Sequence, residues 1–170
     1  SGLPDAIKDL EEVTALTQAL GEGSWWFRLR TLDNAGNWAP GNAGYGPVQI
    51  DLTAPDVVTG IQSGSHSTGV WSNAPGVSLS WTAAPDNLSG IDGYGLEAAP
   101  APGLPPAVRT IGPITSLTTA LGEGIWHLNF RSLDVAGNWD DGFASFGPVQ
   151  VDVTRPTAPA NLTSSTHATA

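Results

Sequence analysis

The sequence predicts an all-β chain of tandem antiparallel β-sandwiches, with about seven strands in each 101-residue repeat. Three observations lead there. Residues 1–69 overlay residues 102–170 at a constant offset of 101 without a gap, and nearly half of the pairs are identical. Apolar residues alternate with polar ones at period two, the signature of half-buried strands. Glycine (21) and proline (14) are abundant while charged residues are only 13% of the chain, a balance that suits short strands joined by many turns.

A period of 101 exceeds the roughly 20–50 residues of solenoid units and fits whole domains, each with its own core. The offset divides the chain into three parts. Residues 1–54 correspond to the C-terminal half of a preceding repeat, 55–154 to one complete repeat, and 155–170 to the first strand of a following one. The chain is expected to be a window on a longer polypeptide, or a subunit completed by a neighbouring copy.

Within the complete repeat, Val77, Leu79 and Trp81 alternate with Ser78, Ser80 and Thr82. Trp126, Leu128 and Phe130 alternate with His127, Asn129 and Arg131, and their counterparts Trp25, Phe27 and Leu29 keep the same phase. Val149, Val151 and Val153 mark the last strand. Weaker strands are expected near 57–62, 91–98, 106–111 and 115–121. Turn chemistry separates them at 87–90, 100–106, 122–124 and 136–138. A helix over Asp5–Ala19 is disfavoured because the aligned Pro106–Ala120 contains Gly112 and Pro113. Trp25, Trp81 and Trp126 belong to the expected core, whereas Trp26, Trp38, Trp71 and Trp139 are expected to be partly exposed.

The order of an inward Trp81, then Gly93-Tyr94-Gly95-Leu96, then Leu121-x-x-x-x-Trp126-x-Leu128-x-Phe130, then Asp134-x-Ala136-Gly137-Asn138 resembles the tandem fibronectin type III-like and bacterial immunoglobulin-like repeats of large secreted or surface-anchored prokaryotic proteins. The resemblance covers the whole chain. It implies an immunoglobulin-like sandwich, and linkers at Asp51-Leu52-Thr53-Ala54-Pro55 and Asp152-Val153-Thr154-Arg155-Pro156. In that pattern a tyrosine usually stands where Trp25 and Trp126 are, so the tyrosine-corner hydrogen bond is expected to be altered.

The net charge of −10, with six Lys and Arg in all, leads to the expectation of no nucleic-acid partner and opposes anionic membranes. No apolar run reaches the roughly 20 residues that would insert into a bilayer. With no cysteine, a disulfide framework, thiolate metal sites and a cysteine nucleophile are all excluded. No nucleophile–base pair or Gly-x-Ser-x-Gly elbow stands out, so the chain is expected not to be an enzyme. His66 and His167 are equivalent repeat residues, and His127 is replaced by Trp26. Gly21-Glu22-Gly23 reads as a hairpin turn.

The twice-occurring Asp-x-Ala-Gly-Asn-Trp motif has two readings. In the structural one, Asp134 caps a turn, Gly137 supplies a positive φ and Asn138 tolerates a left-handed conformation. In the other, Asp134 and Asn138, like Asp33 and Asn37, offer hard oxygen ligands to calcium. Asp86 and Asp92 bracket an acidic loop that lacks EF-hand spacing, and the linker residues Asp51 and Asp152 complete the calcium candidates. The resemblance raises calcium at the junctions in particular.

The leading expectation is a non-catalytic extracellular or cell-surface spacer of a large protein, for instance an adhesin, whose partners are neighbouring repeats or other copies of the chain. A self-assembling filament or sheath subunit, completed by strand pairing, is the first alternative. An accessory module of a secreted hydrolase is the second, with glycan contact through exposed tryptophans a minor expectation.

Overall fold

The computed structural model describes residues 3–167. Among them there is no helix, and the chain is an all-β sandwich with nine strands in three sheets. β1 (Gly23–Leu29) and β2 (Ala43–Ile50) pair antiparallel by themselves. The other seven fall within 55–154: β3 (Thr59–Ser63), β4 (Trp71–Ser72), β5 (Gly76–Thr82), β6 (Ile91–Ala99), β7 (Ser116–Ala120), β8 (Gly124–Asp134) and β9 (Ala144–Val151). They form a three-stranded sheet, β3-β5-β7, and a four-stranded sheet, β4-β9-β8-β6.

The alternation in the sequence determines what lies between these sheets. Val77, Leu79 and Trp81 from β5 face Tyr94 of β6, Leu128 and Phe130 of β8, and Val149 and Val151 of β9, with Val58 closing the end. The Trp81 ring lies 4.9 Å from that of Phe130 and meets Tyr94 edge-on at 5.6 Å, the geometry aromatic quadrupoles favour.

Two expected strands differ. Residues 106–111 form no strand; the segment crosses over β6 and bridges to it at Tyr94, through Tyr94 N–H to Ile111 C=O (2.9 Å) and Ile111 N–H to Tyr94 C=O (3.0 Å), while Thr110 and Arg109 bond Leu96 and Asp92 on either side. Gly93 permits that approach, since a Cβ there would stand 2.3 Å from the Ile111 oxygen. Residues 160–164, the counterparts of β3, also form no strand. β3 is held by β5, and nothing pairs with 160–164 among the described residues. β4, which the alternation did not signal, is a two-residue strand running parallel to β9.

The first 54 residues repeat the β8–β9 ladder as β1–β2, down to the bulge between Trp25 and Phe27 that matches the one between Trp126 and Leu128. In both copies a glycine sits opposite the bulge: a Cβ on Gly46 or Gly147 would lie 2.7 Å from the carbonyl oxygen of Trp25 or Trp126. No second sheet covers β1–β2 among the described residues. Trp25 and Leu29, expected in a core, are therefore 39% and 58% exposed. Trp126 is packed against the core as expected. At both positions the indole Nε1 donates to a carbonyl four residues earlier, that of Gly21 or Gly122, at 2.9 Å.

Candidate functional site: a carboxylate cluster at the junction

The chain passes from β2 into the complete unit through Asp51 to Pro55, where three of the candidate aspartates, Asp51, Asp86 and Asp134, converge. The Asp134 turn comes first, because the sequence dictates it locally. Oδ1 of Asp134 accepts the amides of Gly137 and Asn138, each at 2.7 Å, and Oδ2 accepts the Asn138 side-chain amide at 2.7 Å. Gly137 has φ +100°, which only glycine adopts without strain. Asn138 does not take the left-handed conformation expected of it; its amide nitrogen bridges Asp134 and the Asp51 carbonyl, the latter at 3.2 Å. Asp134 is 1% exposed.

The β5–β6 loop supplies the second carboxylate. Oδ2 of Asp86 accepts the Gly90 amide at 2.6 Å and the Leu88 amide at 3.2 Å, while its Oδ1 is buried without a hydrogen-bond partner. Asp51 supplies the third. Its Oδ1 takes the Thr53 amide at 3.1 Å and its Oδ2 the Ser89 amide at 2.9 Å. The Ser89 hydroxyl nearby, followed by the Ser89 and Thr53 amides, holds the Asp51 carboxyl below its ordinary range. Carboxylate oxygens of Asp51, Asp86 and Asp134 all lie within 4.8 Å of one another. Three anionic groups so close repel, and a divalent cation with a preference for hard oxygen would relieve that repulsion.

The other candidates are not in this cluster. Asp33 repeats the turn of Asp134, accepting the amides of Ala35 and Asn37 and the Asn37 side chain, but it is exposed. The Asn37 side chain, then its backbone amide, lowers the Asp33 pKa. Asp92 is engaged by Arg109, whose Nε lies 3.0 Å from its carboxylate. Asp152 caps the second linker through the Thr154 amide at 3.0 Å and is exposed.

Beside the Asp134 turn, Arg131 stacks over Trp139 at 5.6 Å, as Arg30 does over Trp38 at 5.3 Å, so the recurrence of these tryptophans is met by an arginine of the same unit. Asp140, for which the other copy has Ala39, is 2% exposed and carries no motif signal in the sequence. It accepts the Ser132 amide at 2.9 Å and lies 3.5 Å from Arg131. Burial pushes its pKa above 3.8 despite the opposing help of Ser132 and Arg131. A carboxyl whose folded pKa is raised binds its proton more tightly in the native state, so its contribution to stability falls as pH rises from 3.8 through the folded value. Relative to Asp140→Asn, the wild type is expected to lose thermal stability over that rise. A constant difference between the two melting curves across pH would refute this. His66 is structural: it is 7% exposed, and Nε2 donates to the Ala74 carbonyl at 3.0 Å.

No family profile matches the chain. Exoglucanase A of Cellulomonas fimi is 30% identical over 160 residues, which are 91% of this chain and 17% of the exoglucanase. This chain thus spans about a sixth of that relative's length. Among solved structures, the spore cortex lytic enzyme SleM of Clostridium perfringens is similar over 68% of this chain and 35% of its own, at 16% identity and a TM-score of 0.41. No helix among the described residues is long and apolar enough to cross a membrane.

Proposed function

We propose that the chain is a non-catalytic spacer of a larger secreted or cell-surface protein, in which consecutive β-sandwiches are held at a fixed separation by fastened junctions. The observation that carries this reading is the junction itself. Asp51, at the exit of one unit, is bonded to Ser89 and Asn138 of the next and shares a cluster with Asp86 and Asp134. Such a link resists bending, and the proline at 55 restricts the chain further. Asp51, Asp86 and Asp134 are the residues that would hold calcium, whose charge would tie the units more tightly.

The similarity to a segment of an exoglucanase favours a second, compatible reading: the spacer stands beside a hydrolase that acts on a polysaccharide. Finding the chain's parent polypeptide without a hydrolase domain would remove that version.

The test is thermal unfolding of the chain with calcium and with chelator. A ligand bound only by the native state at about a hundredfold over its Kd stabilises by roughly 2.7 kcal/mol. Calcium is therefore expected to raise the melting temperature of the wild type and to leave Asp86→Asn unchanged. No shift in the wild type removes calcium from the reading, and measurable hydrolysis of a polysaccharide by the isolated chain overturns the non-catalytic one.

A further inference from the structure

We infer that Glu22 is a latch that sets the direction in which the chain leaves one unit for the next, making the Leu-Gly-Glu-Gly turn and the Asp-x-Thr-x-Pro segment two halves of one junction device. The inference rests on the spacer reading, and Glu22 itself is not a member of the carboxylate cluster. It begins with register. Gly23 pairs with Ile50, and Gly124 with Val151, so the turn that opens the first strand of each pair lies beside the chain that leaves the second. The turn glutamate then reaches across. Oε1 of Glu22 accepts the Leu52 amide at 3.0 Å and the Thr53 hydroxyl; Oε1 of Glu123 accepts the Val153 amide at 3.0 Å and the Thr154 hydroxyl at 2.6 Å.

The same three-atom arrangement occurs at both exits, 101 residues apart, although only the first exit has a unit docked after it among the described residues. The latch is thus a property of the unit from which the chain departs. The Thr154 hydroxyl, and after it the Val153 amide, holds the Glu123 carboxyl below its usual range, as expected of an acceptor engaged while charged.

Its reach extends to the next unit. The amide of Thr53, the residue gripped by Glu22, donates to Asp51 Oδ1, and Asp51 in turn takes the Ser89 amide on Oδ2 and the Asn138 side chain on its carbonyl. One glutamate therefore fixes the linker residue on which both inter-unit bonds converge. Glu22 is a positioning residue, since it touches neither Ser89 nor Asn138.

The test measures orientation. With no native cysteine, spin labels at Gln49→Cys and Glu97→Cys, both exposed strand positions on either side of the junction, report the distance distribution between units by pulsed electron resonance. The experiment is run in chelator so that no cation contributes. The wild type is expected to give one narrow distribution, and Glu22→Ala a distribution about twofold broader as the freed linker samples more directions. Glu22→Gln, whose amide oxygen accepts the same two bonds, is expected to stay narrow. Glu123→Ala serves as the control because it frees only the second linker, and it is expected to stay narrow too. A narrow Glu22→Ala distribution beside a narrow wild type overturns the latch while sparing the spacer reading. A broad wild-type distribution overturns both.

Discussion

Phe130→Ala is expected to cost the complete unit about 3–5 kcal/mol, whereas Leu29→Ala, at the same repeat position, is expected to cost less than about 1 kcal/mol. The two side chains occupy equivalent places on equivalent strands, so the difference isolates what covers them. Phe130 is fully buried, with its ring 4.9 Å from Trp81 and with Val149 and Tyr94 in the same cluster. Removing it loses the transfer energy of a large aromatic group and leaves a cavity that the two sheets cannot close. Leu29 is 58% exposed on a two-stranded sheet, and its truncation removes little buried area. Urea unfolding followed by far-ultraviolet circular dichroism measures both. Equal penalties would mean that β1–β2 has an apolar partner in solution.

Asp134→Ala is expected to cost about 2–4 kcal/mol and to loosen the junction as well, because a nearly fully buried carboxylate gives up three short bonds at once. Asn138 loses the anchor that aims its amide at the Asp51 carbonyl. Asp33→Ala removes the same pattern from an exposed turn, where water replaces the lost acceptor, and its effect is expected to stay within that turn. Paired denaturation curves for the two variants make the comparison, with hydrogen exchange at Ser89 reporting the junction. An unchanged exchange rate at Ser89 in Asp134→Ala would show that the turn does not support the inter-unit contact.

Much of this was legible in the sequence because the repeat supplies two readings of each strand. Trp81, Leu128 and Phe130 were placed inward by alternation, and the Asp-x-Ala-Gly-Asn turn by the chemistry of aspartate and glycine. Both signals are local. The convergence of Asp51, Asp86 and Asp134 was not legible, since loop closure between β5 and β6 and docking of the linker bring together residues far apart in the chain. In the sequence Asp86 is one acidic residue among several, and Asp92, which follows the same loop on β6, is instead occupied by Arg109. Residues 106–111 have the composition of a strand but cross over β6, a tertiary choice made available by Gly93. The one local signal for Asp140 is that it stands as an acid in one copy where the other has Ala39. The glutamate of the Leu-Gly-Glu-Gly turn has the composition of a turn, and its one sequence signal is its repetition in both copies with a threonine 31 residues later.

The Asp33 turn, which closes with no linker lying across it among the described residues, has a consequence for how such units join. Its two loop amides and its asparagine are already drawn onto the carboxylate, as they are around Asp134, where a linker lies across the turn. A receptor shaped before its ligand arrives spends no ordering entropy at the moment of contact. Units built in this way can fold in succession as the polypeptide emerges, each presenting a finished seat and joining its neighbour by rigid docking rather than by mutual refolding.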